Sequence, residues 1–113
     1  ASICGRKENS NADDGAAYLQ FGVGRASGAI IERLRITSVG RVGIGTDNPS
    51  VSVDLSENTD AVALPTGTTA QRPSGTDAYI RKNSTNNALE FYNGTEWVEI
   101  ITDYFPTGST TLG

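Results

Sequence analysis

The stretch Glu32–Leu55, ERLRITSVGRVGIGTDNPSVSVDL, decides the fold of this chain. Apolar side chains recur at every second position in three short parts of it, and this is the period of a half-buried β-strand. These parts are 34–36, 42–44 and 51–55. Corresponding apolar positions advance by eight residues from Leu34 to Val42, and then by nine to Val51. This spacing leaves no room for helices and predicts short strands joined by tight turns.

Each of these strands presents only two or three apolar side chains to one face. Such strands cannot form a core alone, so we expect two further copies of the same chain to cover them. The side chains expected to pack between chains are Leu34, Ile36, Val42, Ile44, Val51, Val53 and Leu55. Gly43 and Gly45 leave one face of the middle strand bare, which lets another backbone approach closely. That backbone belongs to a neighbouring chain or to a crossing strand of the same chain, and we include both glycines in the expected inter-chain packing.

The composition also favours an assembly. Apolar residues make up 36% of the 113 residues, against about 45–50%, glycine included, in ordinary globular domains. Ordering a chain costs roughly 1–2 kcal/mol per residue, and a fully buried Val or Ile contributes only about 1.5–3 kcal/mol. One copy therefore offers too little apolar surface, whereas three wrapped copies offer enough. Because the sequence starts at Ala1 and contains no Met, we expect a processed chain or a fragment of a longer polypeptide.

A β-hairpin is predicted on the N-terminal side of the central stretch. The runs 18–23 and 29–36 alternate in polarity and are separated by a turn-rich segment, so they are expected to pair. Phe21 opposite Ile30 or Ile31 would add a favourable cross-strand contact.

A β-meander is predicted near the C-terminus, with strands at 78–81, 89–92 and 96–100. Asn93-Gly94 between the last two strands is the signature of a type I′ turn. Most of its large apolar residues are expected to form a small aromatic core. These are Ile80, Leu89, Phe91, Trp97 and Ile100 or Ile101.

The expected organisation is therefore all-β, with short-strand meanders interlocked in a homotrimer and little or no helix. Four segments are predicted along the chain: a fibre element at 1–57, a Pro/Gly-rich connector at 58–77, the meander at 78–101, and a linker or docking arm at 102–113. Within the connector, 61–64 reads as either a short helical turn or extended chain, and we favour extended chain. The part from 65 to 75 is expected to be irregular and packed.

Two stretches also resemble a known family. RITSVGRVGIGTDNPS (35–50) and ALPTGTTAQRPSGTDAYIRKNSTNNALEFYNGTEWVEI (63–100) are similar to elements of tail-fibre proteins of tailed bacteriophages, especially marine and cyanobacterial ones. With the segment at the start of the chain, the resemblance covers nearly the whole sequence. It implies a homotrimeric, β-rich fibre segment of a virion tail, located outside the cell, whose partners are its own copies and other virion tail proteins.

The charge and the apolar runs argue against several classes of function. The net charge is −4 and basic residues occur at most in adjacent pairs, whereas a nucleic-acid groove needs a basic stripe. The longest apolar run, Ala29–Ile31, is far too short to span a membrane. The glycines at 43 and 45 precede a turn and a strand rather than a helix, so no nucleotide-binding loop is predicted.

No catalytic or metal site is predicted. The chain contains no His, which removes the usual general base and the commonest metal ligand. Cys4 has no His partner to activate it. Asp47 and Asp54 are interpreted as turn residues, because no oxygen-ligand loop of recognisable spacing surrounds them. We therefore expect no enzymatic activity, no cofactor and no metal.

The predicted function is mechanical and adhesive: a trimeric shaft or knob of a tail fibre that supports attachment to a host cell. One alternative is a module that binds a host-surface glycan or another receptor, with Tyr92, Trp97 and the loop 82–87 as the contact face. In the core interpretation, which we favour, the aromatic residues are structural instead. Another alternative is a subunit of a secreted filament in which 1–15 or 102–113 adds a strand to the next subunit.

Overall fold

The computed structural model describes residues 1–7 and 15–100. These residues form an all-β structure, as predicted, with two mixed sheets and no α-helix. The chain divides into two compact units, Ala1–Ala61 (unit 1) and Val62–Gly113 (unit 2). The division falls within the predicted connector. The predicted arm at 102–113 lies outside the described residues.

Unit 1 is a five-stranded sheet in which the strands follow one another in chain order. They are β1 (Ser2–Lys7), β2 (Ala17–Gly24), β3 (Ile30–Ile36), β4 (Val42–Ile44) and β5 (Val53–Asp54). Strands β1 to β4 are antiparallel to their neighbours. Gly28 and Gly40 turn the chain after β2 and β3, with φ of 91° and 84°, a region that glycine enters without steric cost.

The predicted hairpin is confirmed, but its register is not. Phe21 lies opposite Leu34, and Val23 lies opposite Ile31. The expected pairing of Phe21 with Ile30 or Ile31 is wrong because the pairs next to the turn are Gly24–Ile30 and Val23–Ile31, and a register shift between Phe21 and Gly22 moves Phe21 further, to Leu34. A bulge of this kind inserts an unpaired residue and moves every later pair along the strand.

The last strand of unit 1 also differs from the prediction. The expected strand at 51–55 is reduced to Val53–Asp54, and it runs parallel to β4 rather than antiparallel. The chain therefore returns to the same end of β4 through residues 45–52, where a tight antiparallel turn was expected. The amide of Val42 donates to the carbonyl of Ser52 at 2.8 Å, which fixes this return.

Unit 2 contains a four-stranded sheet with a short 3₁₀ turn between its first two strands in the chain. Its strands are β6 (Thr66–Gly67), β7 (Ile80–Asn83), β8 (Ala88–Tyr92) and β9 (Trp97–Glu99), and the 3₁₀ turn is Thr69–Gln71. Strands β7 to β9 form the predicted antiparallel meander, and β6 adds to β7 in parallel. No helix forms at 61–64, as expected, but the part from 65 to 75 is not wholly irregular, because it contains β6 and the 3₁₀ turn.

Two details of the meander were predicted incorrectly. Strand β7 begins two residues later than expected and extends to Asn83, so Lys82 and Asn83 belong to a strand and not to a loop. The β8–β9 turn is a four-residue loop, 93–96, in which only Gly94 has a positive φ. A type I′ turn needs positive φ at both central residues. Instead, the Asn93 side chain accepts hydrogen bonds from the amides of Thr95 and Glu96, both at 2.9 Å.

The interior of the single chain is polar. Among the described residues, Pro49 is the one apolar side chain that is buried, and no Ala, Val, Ile, Leu, Phe, Tyr or Trp side chain is. The buried polar and charged residues are Thr46, Asp54, Arg81, Asn83 and Glu90. The apolar surface that would ordinarily stabilise a fold is thus left open in one copy of this chain.

Candidate self-association surface

One face of the unit 1 sheet carries ten apolar side chains. Residues directly opposite each other in paired strands project to the same face, and the register arranges these ten in three rows. The rows are Ile3–Phe21–Leu34–Ile44, Leu19–Ile36–Val42–Val53 and Val23–Ile31. We call this set the unit 1 apolar face; Lys7 lies at its edge on the same side of β1. The face is continuous from β1 to β5.

This face is uncovered by the described residues of the chain. Ile3 is 70% exposed and Val53 is 56% exposed, while Ile44 in β4 retains 37% exposure. A contiguous exposed apolar patch on a folded protein marks a surface that contacts another molecule. The geometry therefore identifies the unit 1 apolar face as a candidate interface.

The opposite face of unit 1 is covered by the chain itself at β4. A side chain at Gly43 would collide with the backbone oxygen of Thr46 and with Pro49. Gly45, with φ of 77°, lies against the side chain of Asn58, which donates to the carbonyl of Ile44 at 2.7 Å. The predicted close approach to the two glycines is thus made by the same chain, through a turn and an asparagine side chain.

A buried carboxylate organises this closed side. Asp54 accepts hydrogen bonds from the backbone amide and the hydroxyl of Ser56 (2.8 and 2.6 Å) and from the same two groups of Ser50 (2.9 and 3.2 Å). These bonds, first of all that from the Ser56 hydroxyl, hold the pKa of Asp54 well below its ordinary value. Asp54 itself lies in β5 and not in a turn, and its hydrogen bonds come from serines on either side of that strand.

The predicted packing residues fall into two groups. Leu34, Ile36, Val42, Ile44 and Val53 lie together on the unit 1 apolar face. The other four do not lie on it: Gly43 and Gly45 are covered as described, and Val51 and Leu55 lie outside the strands. Sequence reasoning left out Ile3, Leu19, Phe21, Val23 and Ile31. Their alternation was visible in the sequence, but their alignment with the central stretch depends on the bulge.

Unit 2 repeats the same two-sided design. The pairs Ile80–Phe91, Phe91–Val98 and Lys82–Leu89 project to one side of its sheet. We call Ile80, Leu89, Phe91 and Val98 the unit 2 apolar face. None of the four is buried by the described residues. The expected aromatic core is wrong in one respect, since Trp97 lies on the opposite side, paired with Tyr92.

The opposite side of unit 2 holds a buried cluster of charges. Glu90, whose side chain is fully buried, accepts two hydrogen bonds from Arg72 (2.7 and 3.1 Å) and one from Arg81 (2.6 Å). Asn83 donates to the same carboxylate at 3.2 Å and to the hydroxyl of Thr69 at 3.0 Å. Arg72 and Thr69 belong to the connector. The carboxylate therefore fastens the connector across the sheet.

The charge on Glu90 is stabilised by its partners. Hydrogen bonds from Arg72, followed by those from Arg81 and Asn83, outweigh the opposing effect of burial and lower the pKa of Glu90 to about 2. Every buried polar side-chain atom in residues 1–7 and 15–100 has a hydrogen-bond partner. Sequence reasoning missed this cluster because Glu90 alternates with Leu89 and Phe91, which is also the pattern of a solvent-facing residue.

Tyr92 and Trp97 are both half-buried, and their rings meet edge to face with centroids 5.5 Å apart. The Tyr92 ring lies against Gly75, where a β-carbon would collide with it. Its hydroxyl donates to the carbonyl of Thr95 at 2.9 Å. Trp97 lines an open cleft of about 570 Å³ together with Tyr79, Pro65 and Pro73. The predicted contact role for Tyr92 and Trp97 stays a prediction, and Asn83 of the predicted contact loop is buried.

No group of three Cys, Asp or Glu side chains within the described ranges is arranged to hold a metal ion. The described part of the chain likewise contains no helix with the length and apolar character needed to cross a membrane. Comparison with protein-family models, with curated proteins and with solved structures finds no match.

Proposed function

We propose that this chain is a structural segment of a bacteriophage tail fibre, a homotrimer whose copies associate through the unit 1 apolar face. In this role it is a stiff shaft or knob of the virion tail that supports attachment to the host cell. One observation carries the proposal: no aliphatic or aromatic residue other than Pro49 is buried in the described ranges, while ten apolar side chains form one open face.

The polar interior cannot replace an apolar core as the source of stability. Buried ion pairs such as Arg72–Glu90 and Arg81–Glu90 gain little net energy, because desolvation offsets most of their attraction. Burial of a Val, Ile or Leu contributes about 1.5–3 kcal/mol, and this contribution becomes available only when another surface covers the face. Folding of the chain is therefore coupled to its association.

The choice of further copies as partners rests on two features. Among the residues that the structure describes, Lys7 is the only charged residue that strand pairing places on this side of the sheet, so this part of the chain offers no charge pattern for a charged partner. The resemblance of 35–50 and 63–100 to tail-fibre elements adds the expectation of threefold symmetry. The secreted-filament alternative loses one of its two donor segments, because Ser2–Lys7 already pairs along β2 of its own chain.

The test is the solution mass of the intact chain by light scattering, repeated on Ile44→Asp and Val39→Asp. Ile44 lies within the apolar face, whereas Val39 is 75% exposed in the β3–β4 turn, away from the face. We expect a discrete mass of three chains for the wild type and for Val39→Asp. Ile44→Asp is expected to lose the trimer, because a charge at a covered position must be desolvated.

A monomeric wild type with a cooperative thermal transition would refute the proposal and favour a small β-sheet binding module. Open-ended polymers would favour the filament. Retention of the trimer by Ile44→Asp would show that copies associate elsewhere than through the unit 1 apolar face. Electrophoresis in SDS without boiling provides a second measurement, because an interlocked trimer is expected to resist dissociation.

A further inference from the structure

We infer that the unit 2 apolar face is a second interface between copies of this chain, and that it closes only after unit 1 has brought the copies together. The inference rests on the proposed function and extends it to unit 2. The proposed assembly requires only the unit 1 face. The second interface is argued from the two sides of the unit 2 sheet.

The two sides of this sheet differ in what they can still bind. The charged side is occupied, since the connector crosses it and Arg72 saturates the Glu90 carboxylate together with Arg81. The other side presents Ile80, Leu89, Phe91 and Val98. Ile80 is 46% exposed, and the other three are half-buried. Apart from the cleft beside Trp97 and Tyr79 on the charged side, the apolar side is therefore the surface of this sheet that is open to a partner.

The chemistry of this face limits the partner to an apolar surface. Its one charged neighbour, Lys82, is exposed beside Leu89, and the face contains no carboxylate. A strongly charged ligand would find no complementary pattern there. A second copy of the same face, with branched aliphatic side chains around Phe91, matches it in chemistry.

The size of the face explains why it depends on unit 1. A stable interface uses roughly 20–30 residues on each side, with an apolar centre and a polar rim. Ten apolar residues can form such a centre, whereas the four of unit 2 are too few to hold free chains together. Once unit 1 has assembled, each unit 2 is tethered near its copies at an effective concentration that reaches about the millimolar range. At that concentration a weak apolar contact is formed.

The experiment measures thiol accessibility in the full-length chain. In a Cys4→Ser background, which removes the chain's single cysteine, Val98→Cys and Glu99→Cys place a thiol on adjacent residues of β9 that project to opposite sides of the sheet. Each is labelled with a small maleimide under native conditions. Both are also prepared with Ile44→Asp, which opens the unit 1 interface.

In the assembled protein, Val98→Cys is expected to react at least about tenfold more slowly than Glu99→Cys, a factor that corresponds to about 1.4 kcal/mol. With Ile44→Asp added, the difference should disappear. Fast labelling of Val98→Cys in a trimeric protein would overturn the inference and leave the proposed function standing. Slow labelling that persists in a monomeric Ile44→Asp protein would overturn it as well, because the chain's own residues would then cover the face. A monomeric wild type would instead refute the proposed function.

Discussion

The two units close their polar sides by different means. Unit 1 uses backbone contact: the turn at 46–49 lies directly on Gly43, and Asp54 is satisfied by amides and hydroxyls of neighbouring residues. Unit 2 uses charge, with Glu90 held by two arginines, one of which comes from the connector 18 residues earlier in the chain. The difference shows that the more polar side of a sheet can be covered by local turn geometry or by long-range ion pairs. The second solution depends on keeping every charge paired.

The largest expected effect is therefore the loss of the buried charge in unit 2. Glu90→Gln removes the anion and leaves Arg81 buried without its counter-ion. Removing one partner of a buried pair typically costs about 3–5 kcal/mol. We expect unit 2 to unfold at a lower urea concentration than in the wild type. The fluorescence emission of Trp97, the only Trp in the chain, monitors this transition.

Glu99→Gln is the matched control, because Glu99 lies opposite Glu90 in the sheet but is exposed. It should change the free energy of unfolding by less than about 0.5 kcal/mol. Equal effects of the two substitutions would mean that the buried charge does not hold the connector in place.

A smaller effect is expected from closing the space beside Gly43. Gly43→Ala places a methyl group against the Thr46 carbonyl, and overpacking of this kind costs typically about 1–3 kcal/mol. Gly24→Ala is the control, since no atom lies within 4 Å of a β-carbon built there. Hydrogen exchange of the Gly45 amide, which donates to the carbonyl of Arg33 at 3.0 Å, should accelerate only in Gly43→Ala. Unchanged exchange would contradict the view that backbone contact seals unit 1.

A graded effect, small just below pH 4.5 and larger towards pH 2, is expected from acid. Because the pKa of Glu90 is about 2 in the folded chain and 4.5 is its reference value, the unfolded chain binds more protons between these values. The stabilisation from Glu90 is therefore complete above about pH 4.5 and is lost as the pH falls towards 2. A urea midpoint of unit 2 that declines over this range in the wild type, but less steeply in Glu90→Gln, would support this account. Equal slopes in the two proteins would contradict it.

Much of the fold was predictable from residue alternation. The runs around Phe21, Leu34 and Val42 read correctly as strands, because a half-buried strand repeats its polarity every two residues. The hairpin of β2 with β3 followed from the turn residues between them. The register did not, because the bulge after Phe21 depends on how two strands fit together.

The candidate interface was predictable in part. Five of the nine predicted packing residues lie on the unit 1 apolar face, whereas Gly43 and Gly45 are covered by their own chain. The expectation that glycines admit a close backbone was sound, but the sequence does not show which backbone approaches. Trp97 was assigned to the wrong side of its sheet, since its pairing with Tyr92 depends on a four-residue loop in place of the expected type I′ turn.

By itself, the sequence determined which segments are strands and which residues within a strand share a side, because both follow from the two-residue period of an extended backbone. Only the tertiary structure decided which side the chain covers. That choice depends on contacts between residues distant in sequence, such as Arg72 with Glu90 and Asn58 with the carbonyl of Ile44. The covered side proved to be the polar one, because the connecting segments carry the hydrogen-bonding groups that match it, and the apolar side was left for another molecule.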